Sequence, residues 1–452
     1  MKVHFIAIGG AAMHNIAIAL KEKGVSVTGS DDEVFEPSLS RLKKYELLRE
    51  DYGWDEKNIS TELDAVILGM HARSDNIELK KAQQLGLKIF SFPEFIYEQS
   101  KNKKRVVIGG SHGKTTITAM IIHVLKNLNC DFDFMAGAAI PGFDNTVKLT
   151  EKSPIIILEG DEYLSSPIDR RPKFHLYKAD IGLLSGIAWD HINVFPTFEC
   201  YVDQFRIFAQ QISADGTLVY CADDAEVKKV AQYDSVKCKI IPYSIPRYEI
   251  TDGVTFLIAG EEKIPLTLFG EHNLQNIEGA RNICRLLGVH DNDFNKHIVT
   301  FGGAAKRLQL VAKNNSCVVF KDFAHSPSKL IATIDAVKKQ FPERKLVACM
   351  ELHTFSSLNK NFLEQYNGAM TSADVPIVYY NPHTLEHKKL EAIDEDIISK
   401  SFDDDRIKVF TDSTVMRNYL TKLEWEGSNL LMMSSGTFDG LSIEKLALEI
   451  LG

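Results

Sequence analysis

The stretch RVVIGGSHGKTTITAM, residues 105–120, decides the fold class. A β-branched apolar run enters a glycine turn, and TTITAMIIHVLKNL follows it with the spacing of an amphipathic helix. A strand feeding a helix through glycines is the layout of a phosphate-binding loop. There, backbone N–H groups and the helix dipole favour an anion. The pattern G-x-x-x-x-G-K-[ST] asks for a glycine five positions before Gly113, and Ile108 stands there. Only the lead-in is shortened. A plain glycine turn with a surface lysine is the simpler alternative, and Gly-Lys-Thr-Thr directly after a strand argues against it. Read as a nucleotide loop, Gly110, Ser111, His112, Gly113, Lys114, Thr115 and Thr116 form the cradle, Lys114 reaches the outer phosphates and the Thr115 hydroxyl coordinates Mg²⁺.

Outward from this loop the same alternation repeats. Towards the N-terminus, VHFIAIGG reads as a strand and turn, AAMHNIAIALKEKG as a helix stopped by Gly24, and VSVTGSD and DAVILGM as further strands. Towards the C-terminus, PIIILEGDE and DIGLLSGIAWDH continue the second unit, and SCVVFKDFAH, KLVACME and VPIVYYN belong to a third. The expectation is an α/β chain of parallel doubly wound sheets in three domains, 1–100, 101–298 and 299–452, with EQSKNKK at 98–104 as a linker.

Open α/β sheets hold ligands beyond the carboxyl ends of their strands. IIILEGDEY puts Glu159, Asp161 and Glu162 there, and LLSGIAWDH does the same for Asp190 and His191. Either group alone reads as a solvated strand end. A phosphate loop in the same domain turns both into metal-ligand candidates. FGEHNLQNIEGARN offers Asn273 and Asn276 on one helical face, though an Asn-rich cap would look the same. GGAAKRLQL adds Arg307, and FKDFAHSPSKL adds Asp322 and His325 at a strand end. IGGAAM lacks the G-x-G-x-x-G spacing, but Asp31 falls where a ribose-binding acid would. His353 could be a ligand group and reads more simply as a structural histidine.

The 452 residues are 44% hydrophobic and 25% charged, with a formal charge of -9. That balance describes a soluble globular protein with no basic footprint for nucleic acid. No apolar run approaches the ~20 residues of a membrane span, and the N-terminal apolar run is broken by Gly-Gly and His14. Seven scattered cysteines with no C-x-x-C read as free thiols in a reducing cytoplasm. No membrane or nucleic-acid partner is expected, and the chain is taken as a cytoplasmic monomer.

The ordered motifs resemble the Mur ligases, the three-domain ATP-dependent enzymes that build the peptide of peptidoglycan. GSHGKTT is similar to their shortened loop, GEHNLQN to G-x-H-N-x-x-N, the KR before Leu308 to the arginine motif, and DFAHSP to D-[FY]-A-H-x-P. The resemblance spans nearly the whole chain. It implies an N-terminal Rossmann-like domain, a central P-loop ATPase domain and a C-terminal Rossmann-like domain. It further implies ATP and Mg²⁺, with Asn273, Asn276, Arg307 and Asp322 completing the ATP site, Lys114, Glu159, His191 and Arg307 as catalytic residues, and Thr115, Glu159 and His191 on metal.

HFIAIGGAAM, VTGSDDEVFEP and HARSDNIEL resemble the uridine-nucleotide domain of the muramate branch. This assigns Gly9, Gly10, Ala11, Ala12, Met13, Ser30, Asp31, His71, Arg73 and Asn76 to a UDP-sugar. Within that branch, DEYLSSPIDRRPKFHLY is closer to ligases that attach the recycled tripeptide L-Ala-γ-D-Glu-meso-diaminopimelate to UDP-N-acetylmuramate than to those that attach L-alanine. Arg170, Arg171, His325 and His353 are the peptide-binding candidates. Attachment of L-alanine is the alternative. From another class comes a non-catalytic sensor that grips a UDP-muramyl compound and ATP, and a simple kinase is a third possibility. Residues 192–227 contain no lysine, so a carbamate-bridged second metal is not expected.

Overall fold

A computed structural model describes residues 1–48, 52–303 and 307–452. Ala304–Lys306, part of the arginine motif, therefore lie outside the described residues. The chain divides into two compact units, one of residues 1–187, 202–243 and 279–290 and the other of 188–201, 244–278 and 291–452. The segment expected as a single second domain, 101–298, is shared between them.

The first unit holds two sheets. One has four parallel strands in the order β2 (Ser26–Ser30), β1 (Lys2–Ile6), β3 (Ala65–Leu68) and β4 (Ile89–Ser91). The other runs β11 (Lys239–Tyr243), β10 (Thr217–Cys221), β9 (Ile181–Leu184), β5 (Lys104–Gly109), β8 (Ile155–Glu159), β6 (Asp133–Met135), β7 (Val147–Lys148). Only the short edge strand β7 is antiparallel. Sheets covered on both faces need continuous apolar strands, and Val106, Val107, Ile108, Ile156, Ile157, Leu158, Leu183 and Leu184 are all fully buried. The expected linker is not loose. Lys103 is buried, with Nζ 2.6 Å from both Asp133 Oδ2 and the Thr150 carbonyl oxygen.

The second unit contains a three-stranded antiparallel sheet, β12 (Tyr248–Thr251), β13 (Val254–Ala259) and β14 (Glu262–Leu266), absent from the sequence reading. Its first turn is Asp252-Gly253, both at positive φ (50° and 72°), the two-residue turn that suits a hairpin. Its other sheet runs β15 (Gln309–Lys313), β16 (Val318–Asp322), β20 (Ser428–Met433), β17 (Lys345–Leu352), β18 (Val375–Tyr380) and β19 (Lys408–Phe410). All pairs but β15–β16 are parallel. Leu330, Ile334 and Val337 of the helix Pro327–Gln340 bury one face, and Met416, Leu420 and Leu446 bury the other.

Candidate functional site

The turn between β5 and the helix Lys114–Asn127 is built on two glycines. Gly110 (φ +133°) and Gly113 (φ +79°) take backbone conformations that L side chains avoid. A Cβ on Gly110 would also stand 2.2 Å from Ser185 Oγ. Residues 185–186, just past β9, clamp the loop from below. The Ser111 amide donates to the Gly186 carbonyl at 2.9 Å, the Ser185 amide donates to the Gly109 carbonyl at 3.1 Å, and the Ser185 hydroxyl donates to the His112 carbonyl. These three bonds tie the loop to the end of β9.

Its two reactive side chains meet the β8 acids. Lys114 Nζ lies 2.6 Å from Glu162 Oε2 and also donates to the Gly110 carbonyl. Burial pulls the Lys114 pKa down, but the carboxylates of Glu162 and Asp161 outweigh it and hold the ammonium above the usual lysine value. The Thr115 hydroxyl donates to Glu159 Oε1 at 2.7 Å, and the Gly137 amide donates to Glu159 Oε2 at 2.7 Å. Asp161 is 2.5 Å from Lys173. Although burial would raise the Asp161 carboxyl, Lys173 and Lys114 hold it well below the ordinary range. These acids are thus an organised set, and not a solvated strand end. Hydroxyl and carboxylate oxygens side by side are the donors a hard divalent cation takes, so Thr115 and Glu159 fit the expected Mg²⁺. Sequence reasoning passed over Gly137 and the Ser185–Gly186 brace, neither of which has a local motif, and saw Glu162 as a metal-ligand candidate but not as the partner of Lys114.

At the N-terminal sheet, the Gly9 amide donates to Asp31 Oδ2 at 2.7 Å, and the Asp32 amide to Asp31 Oδ1 at 3.0 Å. Burial pushes the Asp31 carboxyl up to about 6. Asp31 thereby holds the glycine turn 9–10 against the end of β2. Gly10 caps the helix Ala11–Glu22, which carries Ala11, Ala12 and buried Met13. Ser30 donates to buried Glu78, and Asn76 caps the helix Ile77–Gln84, accepting from Glu78 N at 2.9 Å and Leu79 N at 3.1 Å. His71 and Arg73 are exposed on the loop after β3. Arg171 in the same unit is paired with Asp169 at 2.6 Å and Glu94 at 3.2 Å, while Arg170 is exposed.

In the second unit, Asp190 and His191 sit on a tight turn. His191 has φ +56°, an unusual conformation for a non-glycine residue, and its amide donates to Asp190 Oδ1 at 2.7 Å. Lys329 Nζ and His325 Nε2 lie 3.8 and 4.0 Å from Asp190 Oδ2. Burial, helped by Lys329, drives the His325 pKa down to about 4, so its imidazole is neutral at pH 7. Along the end of β16, Arg307 stacks 4.8 Å over the Phe323 ring, which meets His325 edge-on at 5.2 Å. Both Asp322 oxygens accept backbone amides, from Leu308 and, at 2.6 Å, from Ala324. Asp322 therefore anchors the segment that follows Arg307. Asn273 and Asn276 lie on the helix Glu271–Leu286, and Asn273 lines a cavity of about 500 Å³ with Phe269, Leu308, Phe320 and Phe341. Of the metal candidates, Thr115 and Glu159 adjoin in the first unit, and His191 belongs to the second.

Three family models match the chain: "Mur ligase family, catalytic domain" over residues 2–104, "Mur ligase middle domain" over 108–284, and "Mur ligase, glutamate ligase domain" over 306–436. The UDP-N-acetylmuramate–L-alanine ligase of Caldicellulosiruptor saccharolyticus is 31% identical over 392 residues, covering 83% of each chain. Among solved structures, the fold is similar to a UDP-N-acetylmuramate-alanine ligase from Thermotoga maritima (TM-score 0.69, 18% identity, 100% and 98% coverage). It is also similar to a murein peptide ligase from Psychrobacter arcticus (TM-score 0.66, 21% identity, 100% and 99%). Among the described residues, no helix is long and apolar enough to cross a membrane.

Proposed function

The chain belongs to the Mur ligase family of ATP-dependent ligases in the peptidoglycan pathway, and we propose that it joins the carboxylate of UDP-N-acetylmuramate to the amino group of L-alanine. The observation that carries ATP activation is the pre-formed phosphate loop, with Lys114 and Thr115 side by side at the helix start. The donor and acceptor follow the named relative.

In this reading, the sugar carboxylate attacks the γ-phosphorus of ATP, ADP leaves, and an acyl phosphate forms. The acceptor amine then attacks the acyl carbon, loses a proton, and expels inorganic phosphate as the amide forms. Oxide is a poor leaving group from a bare carboxylate, whereas phosphate is a good one. Such transfer is catalysed mainly by positioning and charge stabilisation. Lys114 would exchange Glu162 for phosphate oxygens, and Arg307 would supply a second cation. The cradle Gly110–Thr116 would present its amides to the β-phosphate. Thr115 and Glu159 would hold Mg²⁺, which neutralises phosphate charge when bound, with His191 as a further ligand. Asn273, Asn276 and Asp322 would serve the adenosine. The glycine turn 9–13, Ser30, His71, Arg73 and Asn76 would serve the UDP-sugar, with Asp31 shaping the turn.

A second reading keeps the donor and replaces L-alanine with the murein tripeptide. It is favoured by the stretch 161–174, where exposed Arg170 and Arg171 suit a polyanionic peptide. His325 and His353 would serve either acceptor. Phosphate release from ATP, measured with UDP-N-acetylmuramate and each acceptor in turn, separates the two. A sensor would release none, and a kinase would release ADP without an amine.

A further inference from the structure

Past the end of β8, charges of opposite sign alternate. A carboxylate oxygen of Asp161 lies within 4.8 Å of one of Glu162. Each acid faces its own ammonium: Lys114 Nζ is 2.6 Å from Glu162 Oε2, and Lys173 Nζ is 2.5 Å from Asp161 Oδ2. Two like charges at that separation repel, and the interleaved cations offset the repulsion. Glu162, Asp161 and Glu159 all act on Lys114, Glu162 most strongly. In the proposed reaction phosphate oxygens draw the Lys114 ammonium away. The two acids keep their charge and lose one of the ammonium groups they face.

The hairpin that carries Lys173 is closed without the lysine's charge. The Lys173 amide donates to the Tyr163 carbonyl at 3.0 Å, the Phe174 amide to the Asp161 carbonyl at 3.1 Å, and the Ser165 amide to the Arg171 carbonyl at 3.1 Å. Fully buried Phe174 stacks on Phe208 with ring centroids 4.9 Å apart. Backbone bonds and apolar packing therefore hold residues 161–174 in place. The Lys173 ammonium is nonetheless pinned, 5.6 Å over the Phe92 ring and 5.7 Å over the Tyr163 ring, with its side chain 16% exposed. Fixing a long flexible side chain costs entropy, and what offsets that cost here is electrostatic.

We infer that Lys173 is a positioning residue for nucleotide binding: it takes up the Asp161 carboxylate, so that Asp161 does not compete with phosphate for Lys114, and it stays behind as counter-charge to Asp161 and Glu162 when Lys114 moves to the phosphates. This inference rests on the ATP-dependent ligase reading and adds to it what releases the loop lysine.

The test measures ATP binding to the full-length protein by titration calorimetry, with Mg²⁺ present and UDP-N-acetylmuramate and acceptor left out, so that no turnover occurs. Variants are Lys173→Met, Asp161→Asn and the two combined. Lys173→Met keeps an apolar side chain against Phe92 and Tyr163 and removes the charge, which should raise the Kd for ATP about 10-fold. Adding Asp161→Asn removes the competing carboxylate and should bring Kd back to within about threefold of wild type. Asp161→Asn alone should bind ATP at least as tightly as wild type, and it reports on the inference even where Lys173→Met fails to fold. An ion pair that only braces the hairpin predicts the opposite pattern, with both single variants weakened and the double variant no better than either. Wild-type binding that Lys173→Met leaves within about twofold, that Asp161→Asn weakens about 10-fold, or that the double variant fails to recover overturns the inference. A wild type that binds no ATP overturns the ligase reading, and the role of Lys173 with it.

Discussion

Replacing Lys114 by Met should lower stability and abolish turnover by separable routes. Lys114 and Glu162 are 2.6 Å apart, with side chains 14% and 2% exposed. At an effective dielectric of about 20 their gross attraction is about 6 kcal/mol, most of it offset by the cost of removing both charges from water. Removing the lysine alone takes away the ammonium that faces the buried Glu162 carboxylate, which costs about 3–5 kcal/mol. For a cooperative unit of about 200 residues, each kcal/mol shifts the melting temperature by about 2–4 °C, so the loss is roughly 10 °C. Lys114→Met combined with Glu162→Gln removes both charges and should recover most of that loss, because no buried charge is then deprived of its counter-charge. Phosphate release should vanish in both variants. Scanning calorimetry and the release assay on the same preparations decide the matter. A single variant melting within about 1 °C of wild type would refute the energetic argument, and turnover in the double variant would refute the role of Lys114.

Asp31 has its carboxyl raised by burial to about 6 from about 3.9, so its contribution is fully present below about pH 4 and is lost as pH rises through 6. The stability of wild type relative to Asp31→Asn should therefore improve by up to about 2 kcal/mol between pH 7.5 and 4.5, and a constant difference in denaturant titrations would contradict this. Gly137→Ala would put a Cβ 2.6 Å from Glu159 Oε1; turnover should fall about 10-fold with a higher Mg²⁺ requirement. An unchanged Mg²⁺ titration would remove Glu159 from the metal. Arg171→Ala breaks only exposed ion pairs and should cost under about 1 kcal/mol of stability. A raised KM for the tripeptide in that variant, with L-alanine unaffected, would support the peptide reading.

What the sequence made legible was whatever local backbone rules enforce. Gly110 and Gly113 could be read because their positive φ excludes other residues. The parallel sheets could be read because strands buried on both faces must be apolar throughout. Glu159 and Glu162 were visible as acids at a strand end, but not as partners of Thr115 and Lys114, which lie 44 and 48 residues away. Asp31 was read as an acid about 20 residues past the glycine turn, but its bond to the Gly9 amide needs the β1–β2 pairing and could not be read. The antiparallel sheet β12–β14 was missed although Asp252-Gly253 announces its first turn.

The acceptor remains the point on which the motif reading and the named relative part, and one experiment addresses it together with the central claim. Phosphate release from ATP and Mg²⁺ should be measured with UDP-N-acetylmuramate alone, with L-alanine added, and with L-Ala-γ-D-Glu-meso-diaminopimelate added. The account predicts release that requires both the sugar nucleotide and an amine, with L-alanine the effective acceptor and tripeptide-only release establishing the second reading. Release that needs no amine, or no release with either acceptor, would contradict the ligase assignment itself.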